Sequence, residues 1–187
     1  MKMKIYLAGP DVFERDPVAK GVELKALCAK YGAEGLFPLD NEILDTEHGS
    51  LDQARKIRSA NMALIQACDA VLANMNAFRG PSMDVGTAYE MGVGAALNKI
   101  VVGYTNSHKS YVEKVREFCE VNRGADGQLR DQDGMAVEEF KAAEEIESSG
   151  LVDNLMIACG IESLCESAEE AIKVSIELFD AKQGKLV

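Results

Sequence analysis

The chain has 187 residues, 47% hydrophobic and 27% charged, with a net charge of −11. That length suits one domain with a full core, here residues 1–187, and leaves too little for two. The acidic balance, densest in the last third, argues against a nucleic-acid polymer, whose binders need a cationic face, while neutral nucleosides stay admissible.

Taken in order, Lys2 to Ala8 reads as a strand and runs straight into Gly9-Pro10-Asp11. Gly9 lets the backbone turn sharply or approach a ligand closely. Phe13 follows in the loop. It can cap the sheet edge or serve as a platform for a planar ligand. Pro17 opens a helix to about Tyr31, which Gly32 ends. Glu34 to Phe37 is a short second strand, closed by Pro38-Leu39-Asp40-Asn41-Glu42. Asp40 and Asn41 are common turn formers. Ser50 or Asp52 can cap a helix running to Ala67, and Asn61 falls on it.

Ala70 to Met75 is an apolar run that reads as a buried strand. The stretch Phe78 to Gly92 after it is rich in Gly and Pro and leads into a helix. Asp84 lies near the helix start and Glu90 about a turn and a half inside. A glutamate among Gly86, Gly92 and Gly94 is not an ordinary solvent-facing residue. Strand, turn and helix in this order place ligands at the carboxyl edge of a parallel sheet. Lys99 to Tyr104 is a fourth strand, apolar enough for a central position.

Ser110 to Cys119 reads as a helix. Residues 122–134 are polar, carry glycines and read as a mobile loop or insertion. Ala136 to Ser148 reads as an acidic helix with one solvated face. A short strand is expected near Ile161 to Cys165, and Ser167 to Asp180 is a closing amphipathic helix. The alternation predicts an open parallel α/β sheet with helices on both faces, flavodoxin-like, in strand order 2-1-3-4-5. The Gly9 turn and the Asp84–Glu90 turn then share one crevice.

Several chemistries drop out. Gly9-Pro10-Asp11-Val12-Phe13 is not a dinucleotide fingerprint, and there is no Walker motif. No Ser/His/Asp triad is supported. His48 and His108 are the only histidines, so a metal site has almost no ligands to draw on. The five cysteines contain no C-x-x-C pair and read as reduced thiols of a cytoplasmic protein. No signal peptide is expected, and no apolar run reaches the ~20 residues of a membrane span. What remains is a set of carboxylates and amides: Asp11, Asp40, Asn41, Asn61, Asp84 and Glu90. Paired carboxylates suit glycosyl transfer, with simple ligand binding and structural capping as alternatives.

Tyr6-Leu7-Ala8-Gly9-Pro10 with Phe13, Pro38 to Asn41, Cys68 to Asn74, and Arg79-Gly80 with Asp84-x-Gly86-Thr87-Ala88-x-Glu90-x-Gly92 resemble nucleoside 2-deoxyribosyltransferases. Asp153-Asn154-Leu155-Met156 also looks like a segment of that family. The resemblance implies transfer of 2-deoxyribose between nucleobases with retention and without a metal or organic cofactor. It implies that Glu90 attacks C1′ to form a deoxyribosyl ester, and that Asp84 orients that carboxylate and holds the 5′-hydroxyl. Phe13, Asp40 and Glu42 would surround the base, and Gly9 and Gly86 would be substrate-binding positions. Asn154 and Met156 would come from a neighbouring subunit, so the active unit would be a homo-oligomer, a dimer or higher.

Two positions depart from the family pattern. Asn61 stands where many members carry an Asp assigned to protonating the base, and an amide cannot serve as that acid. Glu42 stands where a base-reading Gln is common. Three readings compete. A nucleoside 5′-monophosphate N-glycosidase shares the fold and the glutamate-bearing turn, although the first loop here is net acidic. The others are a non-catalytic nucleoside- or nucleotide-binding module and an oligomeric structural protein that uses the acidic last third.

Overall fold

The computed structural model describes residues 2–41, 43, 46–107, 109–140 and 150–184. A five-stranded parallel sheet carries the fold, in the order β2-β1-β3-β4-β7. The strands are β1 (Lys4–Ala8), β2 (Glu34–Leu36), β3 (Ala70–Asn74), β4 (Ile100–Tyr104) and β7 (Ser163–Cys165). Counted among the parallel strands alone, this is the expected order 2-1-3-4-5. The register pairs Tyr6 with Leu36 on one side and with Val71 on the other.

The central strands are apolar throughout because both faces are covered. Alternate side chains enter two separate cores. Ile5, Leu7, Ala70, Leu72, Ile100 and Val102 face α1 (Pro17–Lys30) and α6 (Ala168–Gly184). Tyr6, Ala8, Val71, Ala73 and Val101 face the other way, toward α2 (Leu51–Ala67) and α3 (Val85–Ala96). Each fully buried aliphatic side chain stabilises by about 1.5–3 kcal/mol. Gly94 lets α3 lie close on the sheet, since a Cβ there would stand 2.7 Å from Cγ2 of Val71.

The helix signals act as their sequences imply. The side chain of Asp16 caps α1 through the Ala19 N–H, Ser50 caps α2 through that of Gln53, and Ser110 caps α4 (Tyr111–Phe118). Gly32 follows α1 with φ +83°, the left-handed conformation that glycine adopts freely.

Two segments differ from expectation. Residues 122–134 are not an open loop. An antiparallel hairpin forms from β5 (Val121–Arg123) and β6 (Leu129–Asp131). Arg130 grips Asp126 across the turn with two bonds of 2.9 and 2.7 Å, and Leu129 is buried beneath. The acidic helix is absent over residues 136–140, where Ala136 instead bridges to Arg130. Residues 141–149 of that expected helix lie outside the described residues. The four-residue helix α5 (Leu155–Ala158) then leads to β7.

Candidate active site

The turn between β3 and α3 ends at Asp84, whose side chain caps the helix. Its Oδ2 accepts from the backbone N–H of Thr87 at 2.8 Å and from the Thr87 hydroxyl at 2.9 Å. An acid at this position is favoured by the free N–H groups and by the helix dipole. Gly86 sits in the exposed first turn, where a Cβ would come 3.1 Å from the Asp84 carboxylate.

Glu90 lies one and a half turns further and points at the sheet. The Tyr6 hydroxyl donates to its Oε1 at 2.6 Å, and the Asn61 amide donates to the same oxygen at 3.5 Å. Neither reaches Oε2. Three elements thus meet on one carboxylate: β1 through Tyr6, α2 through Asn61 and α3 through Glu90 itself. Burial raises the Glu90 pKa above the usual carboxylate range, with a smaller push from the negative charge of Asp84. The hydrogen bonds from Tyr6 and Asn61 oppose that rise. Burial and the neighbouring Glu90 push the Tyr6 pKa far upward, so Tyr6 stays a neutral donor. Asn61 keeps one group unused: its Oδ1 is buried and has no hydrogen-bond partner. A buried acceptor without a donor is costly, and a ligand N–H would relieve it.

The Gly9 turn shares the carboxyl edge of the sheet, as expected. A Cβ at Gly9 would stand 2.2 Å from Oδ2 of Asp11 and 2.8 Å from Cβ of Asn74, so no larger residue fits. Asp11 itself is buried and accepts from the Asn74 amide at 3.0 Å, which ties the ends of β1 and β3 together. Phe13 is 57% exposed. Its ring stacks on Phe78 with centroids 5.5 Å apart and planes 13° from parallel. The Arg79 guanidinium lies over both rings, 5.2 Å from Phe13 and 4.6 Å from Phe78. Arg79 holds φ +56°, unusual for a residue with a side chain. The crevice mouth is therefore aromatic and cationic, a surface on which a planar base can stack.

The remaining candidates divide. Asp40 is exposed, and its carboxylate accepts from the Phe37 N–H at 2.9 Å and from Lys25. Those bonds close the 3₁₀ turn at Pro38–Asp40. Glu42 lies outside the described residues. Asn154 caps α5 by accepting from the Met156 N–H at 3.0 Å, and its amide donates to Glu138 at 2.9 Å. Met156 is 77% exposed.

Sequence reasoning missed Tyr6, Phe78 and Arg79 as site residues. Tyr6 sits in an apolar strand and reads as core. The available signal was its place at the head of the Tyr6-Leu7-Ala8-Gly9-Pro10 block that carries the family resemblance. Cys68 lies beside Tyr6 in the same core, and burial pushes its thiol up to about 11, so it stays protonated at neutral pH.

A profile of the nucleoside 2-deoxyribosyltransferase family matches residues 5–156. A protein described as a 2-deoxyribosyltransferase from Leishmania mexicana is 32% identical in sequence. Its structure aligns over 94% of this chain and 97% of its own, with a TM-score of 0.70. An uncharacterised protein of Schizosaccharomyces pombe is 28% identical over 95% of this chain and 89% of its own length. A conserved protein from Enterococcus faecalis shares the fold at 20% identity, with a TM-score of 0.58 over 95% of this chain and 99% of that one.

Proposed function

This chain belongs to the nucleoside 2-deoxyribosyltransferase family, and from that premise we propose that it moves 2-deoxyribose from one nucleobase to another through a covalent ester on Glu90. The observation that carries the reading is the convergence of Tyr6 and Asn61 on Oε1 of Glu90. Both donors stabilise the ionised carboxylate and leave Oε2 to attack. Oε2 bonds to C1′ as the C1′–N bond breaks, and the bonding pair leaves with the base, which gains a proton. An acceptor base then attacks C1′, loses its proton and returns the carboxylate. Two inversions give net retention.

Asn61 cannot supply the proton. Its unpartnered Oδ1 instead accepts an N–H of the base, and the proton comes from solvent. Asp84 orients the reacting carboxylate and binds the 5′-hydroxyl. Phe13 stacks on the base, in keeping with its exposed ring beside Phe78. Asn154 and the exposed Met156 complete the site of a neighbouring copy, so the working unit is a homo-oligomer. The role is nucleoside salvage in the cytoplasm.

The test is incubation with deoxyinosine, with and without adenine, followed by separation of products. Deoxyadenosine formed only with adenine, and little free deoxyribose otherwise, is the expected result. Glu90→Ala should abolish exchange while the protein stays folded. Hypoxanthine and free sugar released at one rate either way would overturn transfer in favour of hydrolysis.

A further inference from the structure

The turn that delivers Asp84 is gripped from outside by a buried ion pair. Asp153 is 1% exposed, and Lys114 of α4 is 7% exposed. One oxygen of Asp153 accepts from the Ser82 hydroxyl and from the Asn154 N–H at 2.8 Å. The other accepts from the Met83 N–H at 2.9 Å and faces Nζ of Lys114 at 3.7 Å. Ser82 and Met83 are the two residues immediately before Asp84.

Burying two charges is a poor way to hold a fold together. Apolar residues of the same volume often do as well or better. A carboxylate does something they cannot: it accepts a hydroxyl and a backbone N–H at defined points. Lys114 is the price of keeping that carboxylate ionised out of water. Burial lowers the Lys114 pKa, and Asp153 opposes that shift without cancelling it.

We propose that Asp153 is a positioning residue for the reaction: by gripping Ser82 and Met83 it sets where Asp84 stands relative to Glu90. This rests on the reading of Glu90 as the nucleophile. The groups facing Glu90 among the described residues are Tyr6 from β1, the neutral Asn61 from α2 and Asp84 at the head of α3. Of these, Asp84 alone is a carboxylate, and its backbone follows directly on Ser82 and Met83, the two residues that Asp153 holds. A loosened turn weakens the repulsion between Asp84 and Glu90, so Glu90 ionises at lower pH. It also misplaces a carboxylate that must meet the sugar, which costs rate.

The test compares wild type with Asp153→Asn, Ser82→Ala and Ser82→Thr in base exchange, recording kcat, the acid limb of kcat/KM against pH, and Tm. Asp153→Asn and Ser82→Ala should each lower kcat by about tenfold or more and move the acid limb to lower pH. Ser82→Thr keeps the hydroxyl and should restore both. Ser82→Ala leaves the ion pair intact, so it decides the matter even where Asp153→Asn fails to fold. A lowered Tm with kcat and acid limb unchanged in Ser82→Ala would overturn the proposal, leaving Asp153 a purely structural group. No exchange by the wild type would overturn the reaction reading and this proposal with it.

Discussion

The hydroxyl of Tyr6 donates a 2.6 Å hydrogen bond to Oε1 of Glu90, across a sequence separation of 84 residues. It joins the third residue of the first strand to the middle of the third helix. Burial raises the Glu90 pKa, and this hydrogen bond opposes the rise by stabilising the ionised carboxylate.

Tyr6→Phe removes that donor and leaves the ring in the core. A hydrogen bond that stabilises the charged form is lost, so the Glu90 pKa rises further. The acid limb of kcat/KM should move to higher pH, and the rate at neutral pH should fall about tenfold, the worth of one bond to a charged group. A profile superimposable on wild type would remove Tyr6 from the reaction.

Asp84→Asn separates two roles of one side chain. Asparagine caps a helix as well as aspartate does, so Tm should change little. The negative charge that pushes the Glu90 pKa upward is gone, so the acid limb should move to lower pH, opposite in sign to the tyrosine variant. If Asp84 also binds the 5′-hydroxyl, the variant should lose less activity on 5′-deoxy substrates than on normal ones. Equal losses on both would count against that contact.

Asn61→Asp places a titrating group beside Oε1 of Glu90. When ionised, the new carboxylate opposes ionisation of Glu90, so the acid limb should rise. Its protonated form can give a proton to the departing base, so a second, descending limb should appear toward higher pH. Comparison of the two pH–rate profiles decides this, and an unchanged profile would place Asn61 outside the reacting site.

Gly94→Ala tests the packing that seats α3. The added methyl meets Cγ2 of Val71 at 2.7 Å, closer than carbon atoms tolerate. Overpacking of this kind costs about 1–3 kcal/mol, against about 1 kcal/mol gained in helix propensity. A net loss of Tm in thermal unfolding is expected, with activity falling because Glu90 rides on the same helix. A gain in Tm would mean that the helix shifts freely over the sheet.

The parallel sheet, its strand order and the strand–turn–helix segment that carries Asp84 and Glu90 were legible in the residues alone. Those depend on signals local in the chain: apolar runs of strand length, Gly32 after a helix, Ser50 and Asp84 before one, and the six-residue step from Asp84 to Glu90. Solvation decides them, since a strand covered on both faces has to be apolar throughout. The hairpin at 121–131 escaped notice for the converse reason. Most of it faces water, so its strands carry no alternation and its Arg–Asp pair reads as loop polarity. Tertiary structure alone decided which distant groups meet. Tyr6 reads as core until β1 pairs beside β3 and turns its hydroxyl toward α3. Phe78 reads as a turn residue until Phe13 arrives from the neighbouring strand end. Asp153 reads as a polar break in an apolar segment until α4 and the Ser82 turn close around it. Each contact costs chain entropy that only the whole packed sheet offsets, so none is written in the residues near it.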